Sequence, residues 1–368
     1  MLSHRTWPCS SSAACCRAWG ARRCPWLGII RDTLPARRVG SAVGAVAAIS
    51  SVGGAIGILV TGPIITTLGV PWLFWLPAIA NGVVGFGVLT VVPRSVPHAE
   101  ARVNWQAGVA LAATLALLLL PLSLGGDWGW GSPVTIVLFA AAVAMGVLWV
   151  FIETHSDSPL IDMAVFRLRP VWTANLTSLL FGVTLYSAFG FIPAFLQVPP
   201  GTGYGLGESV TTAGLLFLPM TVSQFAGGLA AGPLAARMPP KVLLVLGALP
   251  VVAGFVVLAF AHSEVWQVVL ATAVTGAGFG ISLSALSAVV VHAVPHRHTG
   301  VSTGMNANIR TIGGALGAAV IATVLSAHSS GGFPSETGYT TAFAILAVVG
   351  LLGLASCLLI PEHTRKER

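Results

Sequence analysis

Residues 301–326 read VSTGMNANIRTIGGALGAAVIATVLS, a largely apolar stretch that contains one charged residue, Arg310. The stretch is long enough to cross the hydrocarbon core of a bilayer as an α-helix, which takes about 20 residues. A charged side chain at bilayer depth costs about 2.5–3.5 kcal/mol or more and is a functional candidate by default. These residues therefore predict a membrane-spanning helix, with Arg310 as its candidate functional side chain.

The rest of the chain has the same character. Of its 368 residues, 55% are apolar and 8% are charged, whereas a soluble domain has about 25% charged residues. The apolar runs are continuous and about twice the ~10-residue length of a barrel strand, which excludes a β-barrel. The sequence predicts an all-α, polytopic membrane helical bundle of ten spans: 41–68, 73–92, 107–124, 134–152, 171–197, 209–234, 242–261, 265–293, 301–326 and 340–360.

The basic residues of the loops give the orientation. If the first span enters from the cytosol, every Lys and Arg of the loops between spans lies on the cytosolic side, and the opposite loops carry Asp127, Glu208, Glu264 and Glu336 instead. This asymmetry follows the positive-inside rule. It predicts a multi-pass protein of the cell membrane with a cytosolic C-terminus. Because the net charge of +7 is spread among loops and forms no single face, we expect no nucleic-acid partner.

Residues 1–27 differ from the rest of the chain. They hold four of the five cysteines together with several arginines, and they lack the apolar segment of a signal peptide. The cysteines lack the Cys-x-x-Cys spacing of a zinc site. We predict an atypical tail that is unstructured or results from a misassigned start, with a metal site as the alternative.

The spans differ in polarity. The third and fourth (107–124 and 134–152) carry few polar residues, so we expect both to face lipid at the periphery. The following six form a bundle with a polar interior, and many glycines permit close helix approach. Its candidate cavity residues are Asn175, Tyr186, Gln224, Asn306, Asn308 and Arg310.

Two glycine motifs resemble each other, GGAIG at 53–57 and GGALG at 313–317. Either the match is due to chance in a glycine-rich chain, or the first and ninth spans are counterparts in two related halves. In the second case four helices would precede the first span.

Three segments resemble the fourteen-helix drug:proton antiporter branch of the major facilitator superfamily. They are GIIRDTLP at 28–35, PLID at 159–162 with the arginines that follow, and the strongest match, GVSTGMNANIRTIGGALG at 300–317. The resemblance covers residues 28 to about 362 and implies that the first four helices of the branch are missing. It divides the chain into the last two helices of an N-terminal half (28–95), two peripheral linker helices (96–156) and a six-helix C-terminal half (157–368).

Two motifs of that branch are altered in this sequence. In the helix-packing and kink motif of the first span, Gly57 is followed by isoleucine, and the proline stands after Gly62 as Pro63, so the kink is displaced. The cytosolic loop motif keeps Gly232, Arg237 and Lys241 but has alanine and proline where the branch has aspartate and glycine. A gate held closed by charges is therefore not expected in this half.

The resemblance implies rocking of two halves about a midplane site. Asn306, Arg310, Gly313 and Gly317 recur at i, i+4, i+7 and i+11 and share one helical face, which we expect to look into the cavity. Asn175 and Tyr186 also share a face, either to contact a lipophilic ligand or to form interhelical hydrogen bonds. The ten spans contain no carboxylate, so the acid that proton coupling needs is expected in the missing helices.

The predicted function is proton-coupled export of amphipathic or drug-like small molecules across the lipid bilayer. The alternative is a truncated, non-transporting remnant. The resemblance implies a proton gradient and no cofactor. We predict no enzyme and no metal site. GAGFG at 276–280 lies inside a span, where it favours close helix packing over a dinucleotide-binding loop. GVSTG at 300–304 matches the motif around a hydrolase nucleophile, but it begins a helix that follows another helix. The sequence does not indicate an oligomeric state.

Overall fold

The computed structural model describes residues 68–91, 104–156, 166–294, 299–330 and 333–361, together with part of 53–67. Nine long helices account for most of the described residues: α1 (Trp72–Val91), α2 (Trp105–Trp128), α3 (Pro133–Thr154), α4 (Arg169–Leu196), α5 (Val210–Ala235), α6 (Pro240–Phe260), α7 (Val265–Ala293), α8 (Thr299–Ala327) and α9 (Glu336–Leu358). These helices coincide with the second to tenth predicted spans, with boundaries that shift by a few residues. Eight of them, α2 to α9, are long and apolar enough to cross a membrane.

Polar residues at the helix starts set several of these boundaries. The side chain of Asn104 accepts a hydrogen bond from the backbone N–H of Ala107 at the start of α2. Ser132, Ser209 and Ser335 cap α3, α5 and α9 in the same way. Such a side chain satisfies one of the N–H groups that the first turn of a helix leaves without a partner.

Helices α4 to α9 pack into one bundle. Helix α7 lies between α5 and α6, α8 packs along α4, and α9 packs against α6 and α4. Large aromatic side chains fill the centre, where Phe181 of α4 meets Phe279 of α7 edge to face, with 6.3 Å between ring centroids. Both rings are fully buried. Aromatic pairs in this geometry contribute about 0.5–1.5 kcal/mol beyond the area that they bury.

Glycines bring α7 close to both of its neighbours. A methyl group at Gly276 or Gly280 would overlap backbone atoms of α5, and one at Gly278 would overlap the backbone of α6. The three glycines of the GAGFG sequence thus serve helix packing, which confirms the interpretation made from their place inside a span.

Helices α2 and α3 form a hairpin beside this bundle. Helix α2 packs against α3 and α8, and the indole N–H of Trp130 donates a hydrogen bond of 3.1 Å to the hydroxyl of Thr323 on α8. Helix α3 has few buried residues, and the side chains of α1 are exposed over almost its whole length. The lipid-facing role of the α2–α3 pair stays a prediction.

Part of the first predicted span lies within the described residues. The described positions between 53 and 64 are helical, and Gly62 is buried where a methyl group would meet the hydroxyl of Thr211 on α5 at 2.7 Å. A methyl group at Gly53 or Gly57 would meet no described atom within 4 Å. The segments GIIRDTLP and PLID and the tail of residues 1–27 lie outside the described residues.

The polar loops between α4 and α5, between α6 and α7, and between α8 and α9 meet at one end of the bundle. The loop before α9 contains a short antiparallel hairpin, in which Ser329–Ser330 pairs with Phe333–Pro334. The hydroxyl of Tyr204, in the loop before α5, donates a hydrogen bond to the carbonyl of Pro334. We call this end the acidic-loop end, because Glu208 and Glu264 of its loops and Glu336 at the start of α9 lie there.

Candidate functional site

A buried hydrogen-bond network joins α4 and α8. The amide N–H of Asn306 donates to the side-chain oxygen of Asn175 at 2.8 Å, and the hydroxyl of Ser178 donates to the side-chain oxygen of Asn306 at 2.8 Å. All three side chains are at most 5% exposed. These are the interhelical hydrogen bonds that the sequence analysis offered for Asn175 as the alternative to a ligand contact. Satisfied amides of this kind fix the register of two helices in a membrane.

Glycines bring the backbones of α4 and α8 together beyond this network. A methyl group at Gly313 would overlap the carbonyl of Leu179, and one at Gly317 would lie 2.6 Å from the carbonyl of Val183. Both glycines are buried. From the α4 side, a methyl group at Gly182 would overlap the backbone carbonyl of Arg310. We call this contact the α4–α8 seam.

The seam corrects one expectation about α8. Asn306, Arg310, Gly313 and Gly317 share a face, as their spacing predicts, and we expected that face to look into a cavity. Instead, Asn306, Gly313 and Gly317 are buried in the seam. The reason is that Gly313 and Gly317 let the backbones of α4 and α8 approach each other. The face that a cavity would need is therefore occupied by the contact between the two helices.

Arg310 differs from the other residues of this face because its side chain is long enough to leave the seam. Its backbone lies against Gly182, and the residue is partly exposed. Among the residues that the structure describes, none forms a hydrogen bond or an ion pair with its guanidinium group. The five N–H donors of the group are thus available to another partner.

Tyr186 lies at the edge of the same seam. Its ring covers Gly314, where a methyl group would overlap the ring atoms, and the residue is 42% exposed. Gly314 is four residues, one helical turn, beyond Arg310. An exposed aromatic ring and a guanidinium group without a described partner therefore lie about one turn apart along α8. Such a pair suits a ligand with an apolar body and an acidic or polar group.

The remaining candidates lie elsewhere in the fold. Gln224 of α5 is 5% exposed, and its side-chain oxygen has no hydrogen-bond partner in the described part of the chain. Asn308 is exposed on α8. In the cytosolic loop motif Gly232 and Lys241 are half-buried and Arg237 is exposed, and Pro63 of the first span is exposed. None of these residues belongs to the network at Asn306.

Sequence reasoning missed two members of the seam, Ser178 and Gly182. Ser178 is three residues after Asn175 and therefore lies on the same face of α4, so the spacing could have identified it. No comparable signal marks Gly182, because the chain contains 43 glycines and the sequence does not show which of them meets a neighbouring backbone.

Comparison with known proteins gives relatives whose names concern drug resistance. Multidrug resistance protein 3 of Bacillus subtilis is 24% identical over 300 residues, which are 80% of this chain and 57% of that protein. A tetracycline resistance determinant of Streptomyces rimosus is 28% identical over 60% of this chain and 64% of its own length. Multidrug resistance protein Stp of Mycobacterium tuberculosis is 26% identical over 83% and 56%. The chain thus spans less than two thirds of the length of these relatives.

A solved structure shares the fold. The nucleoside transporter NupG superposes with a TM-score of 0.51 at 16% identity, over 91% of this chain and 85% of that one. The sequence profile of the Major Facilitator Superfamily matches residues 20–318 and 206–368. The two matches together extend over nearly the whole chain. With its helical membrane bundle, this chain therefore belongs to the major facilitator superfamily.

Proposed function

We propose that this protein exports amphipathic or drug-like small molecules across the cell membrane and that a proton gradient drives the export. The observation that carries the proposal is the placement of Arg310, a cation inside a predicted span with no partner among the described residues. A charge at this depth is retained when it serves a substrate or ion pathway. The names of the relatives, which concern resistance to several drugs, support the direction and breadth of transport.

In this proposal the seam holds Arg310 in place and the side chain carries the function. The network at Asn306 and the glycine contacts fix α8 against α4, so the guanidinium group leaves the backbone at a defined height. From there it would pair with an acidic group of a substrate or with a carboxylate of the other half of the transporter. The ring of Tyr186, one turn away, would contact the apolar part of the same substrate.

Efflux from cells tests the role of Arg310. The 368-residue chain and the variant Arg310→Ala are expressed in a bacterium without its own multidrug exporters, and the efflux of a lipophilic dye and of tetracycline is measured. We expect Arg310→Ala to abolish export while the amount of protein in the membrane stays unchanged. Thr311→Ala is the matched control, since Thr311 is exposed and its hydroxyl bonds only within α8.

The possible outcomes separate the proposed role from the proposed function. Normal efflux from Arg310→Ala would contradict the role of this side chain. If the unaltered chain exports nothing, while it is present in the membrane at a normal level, the chain as given is not an exporter. The alternative of a non-transporting remnant would then stand.

We further propose that the acidic-loop end faces the outside of the cell and that the C-terminus is cytosolic. The support is the distribution of loop charges, with Glu208 and Glu336 at one end and Arg237 at the other. A cysteine placed at 208 or 336 should react with a membrane-impermeant maleimide in intact cells. Arg237→Cys should react only after permeabilisation, and the reverse pattern would overturn the orientation.

A further inference from the structure

An ionisable side chain that the proposed export does not use, His262, is buried at the acidic-loop end. It is 8% exposed and lies between the end of α6 and the start of α7. Together with Tyr204 and Glu336 it lines a small cleft. Three parts of the fold therefore meet at His262: the loop before α5, the loop before α7 and the first turn of α9.

The imidazole of His262 is held in one orientation. Its Nδ1 lies 2.8 Å from the carbonyl oxygen of Leu258, and because a carbonyl oxygen can only accept a hydrogen bond, Nδ1 carries a proton. The rings of Phe195 and Phe343 flank the imidazole, with centroids 5.5 Å and 5.9 Å away. The direction of Nε2 is therefore fixed, whether or not this second nitrogen is protonated.

The second nitrogen faces a carboxylate. Nε2 of His262 lies 3.9 Å from Oε1 of Glu336, and this buried atom has no hydrogen-bond partner among the described residues. In the neutral ring both atoms are acceptors, so no hydrogen bond joins them. The gap is too short for a water molecule in line between them, because two hydrogen bonds in series span about 5.5–6 Å. A proton on Nε2 fits the gap.

The loops that meet here supply no other strong cation. Neither Lys nor Arg occurs in the sequence at 197–209, 261–264 or 328–335. These loops carry Glu208 and Glu264, and Glu336 follows them at the start of α9. Glu264 is engaged in capping α7. Within these loops a protonated His262 therefore meets carboxylates, and the other histidine, His328, is exposed.

The remaining titratable groups that face the imidazole stay neutral near neutral pH. Tyr204, in the loop before α5, donates its hydroxyl to the carbonyl of Pro334. Burial raises the pKa of Tyr204 above the usual 10.0, and the charge of Glu336 raises it further. Tyr339 of α9 is a phenol too and packs against Phe195, the uncharged contact from α4. The charge at this place therefore changes through the imidazole.

We propose that His262 and Glu336 form a proton-operated latch between the loop before α7 and the start of α9. Histidine changes its charge between about pH 5 and 8. On acidification Nε2 takes up a proton and becomes a donor directed at the carboxylate. The separation of 3.9 Å then shortens to about 2.7–2.9 Å, the length of a hydrogen bond between charged groups. The side chain of Glu336 is 60% exposed and can make this move.

The latch is closed at acidic pH and open at alkaline pH. The protonated imidazole has a partner in the folded protein, so its contribution to stability is present at acidic pH and is lost as the proton leaves. A glutamate side chain is ionised over this whole range, and the change therefore comes from His262. The latch involves no residue of the α4–α8 seam, so it is independent of the proposed role of Arg310.

Hydrogen–deuterium exchange of the purified full chain in detergent micelles tests the latch. Mass spectrometry follows the amides of 261–264 and of the first turn of α9, at about pH 5.5 and about pH 8, in the unaltered protein and in Glu336→Gln. Exchange reports how often these segments open. The rate ratio of the variant to the unaltered protein should be about tenfold larger at the lower pH, the factor for one hydrogen bond between charged groups.

Comparison at two pH values isolates the latch from the other effect of this carboxylate. Glu336 also favours the start of α9 through the helix dipole, but that effect is equal at both pH values and cancels. A rate ratio that is the same at both pH values would overturn the proposal. Because the side chain of Glu336 is exposed, Glu336→Gln leaves the packing of the bundle intact.

The histidine and the control residues are tested by combining variants. In a chain that already carries His262→Gln, Glu336→Gln should change the exchange rates equally at both pH values. In the background of His328→Gln its effect should still depend on pH, and loss of the dependence there would assign the cation to His328 and contradict the proposal. Glu208→Gln, which removes a carboxylate outside the cleft, should show the same rate ratio at both pH values.

Discussion

The glycines of the α4–α8 seam should behave differently from a glycine elsewhere on the same helix. In Gly313→Ala the new methyl group meets the carbonyl of Leu179, and in Gly304→Ala it meets no described atom within 4 Å. A backbone carbonyl cannot rotate away as a side chain can, so α4 and α8 have to separate. Overpacking of this kind costs about 1–3 kcal/mol.

The comparison of the two variants isolates that cost. Each replaces glycine by alanine in the interior of α8, so the gain in helix propensity, about 0.5–1 kcal/mol, is common to both and cancels. We therefore expect Gly313→Ala to be less stable than Gly304→Ala by about 1–3 kcal/mol. Reversible unfolding of the purified protein in mixed micelles, followed by circular dichroism, measures the difference. Equal stability of the two variants would mean that the helices do not approach as closely as described.

Two further predictions concern hydrogen bonds and charge. Ser178→Ala leaves the side-chain oxygen of Asn306 buried without its donor. We expect a loss of about 0.6 kcal/mol, the average for interhelical hydrogen bonds in membranes, and at most about 1.7 kcal/mol; unfolding that is unchanged from the unaltered protein would contradict the network. Because the folded pKa of Tyr204 is raised above 10.0, its contribution to the stability of the loops at the acidic-loop end is present below pH 10 and is lost as the pH rises through the raised value. Ultraviolet titration of the phenols should show the pKa of Tyr204 fall in Glu336→Gln, and an unchanged titration would exclude the influence of that carboxylate.

The spans were predictable from the sequence because the information for a membrane helix is local. The apolar run at 242–261 has few polar groups, and the backbone of such a segment can satisfy its hydrogen bonds in lipid only as a helix. Helix α6 accordingly covers Pro240–Phe260. The short hairpin of Ser329–Ser330 and Phe333–Pro334 was not predicted, because two-residue strands carry no periodic pattern.

The partners of individual side chains were predictable only in part. Asn306 was identified as a polar residue in the bundle, but its role depends on Ser178 and Asn175, which are 128 and 131 residues away in the chain. Likewise, Gly304 and Gly313 look alike in the sequence, and only the structure shows that a methyl group at Gly304 would meet no described atom within 4 Å, whereas Gly313 lies against α4. Contacts between distant segments depend on the packing of whole helices, which the local pattern does not contain.

The stretch at 301–326 thus combines two requirements that oppose each other. Close packing of α8 on α4 needs small side chains, which Gly313 and Gly317 provide, whereas a charged group at bilayer depth needs a long side chain that reaches beyond the contact. The fold meets both needs by placing Gly182 of α4 opposite the backbone of Arg310. The two backbones can therefore stay in close contact at the position of the arginine. The backbone contact then fixes the height of Arg310 along α4, and its side chain stays partly exposed.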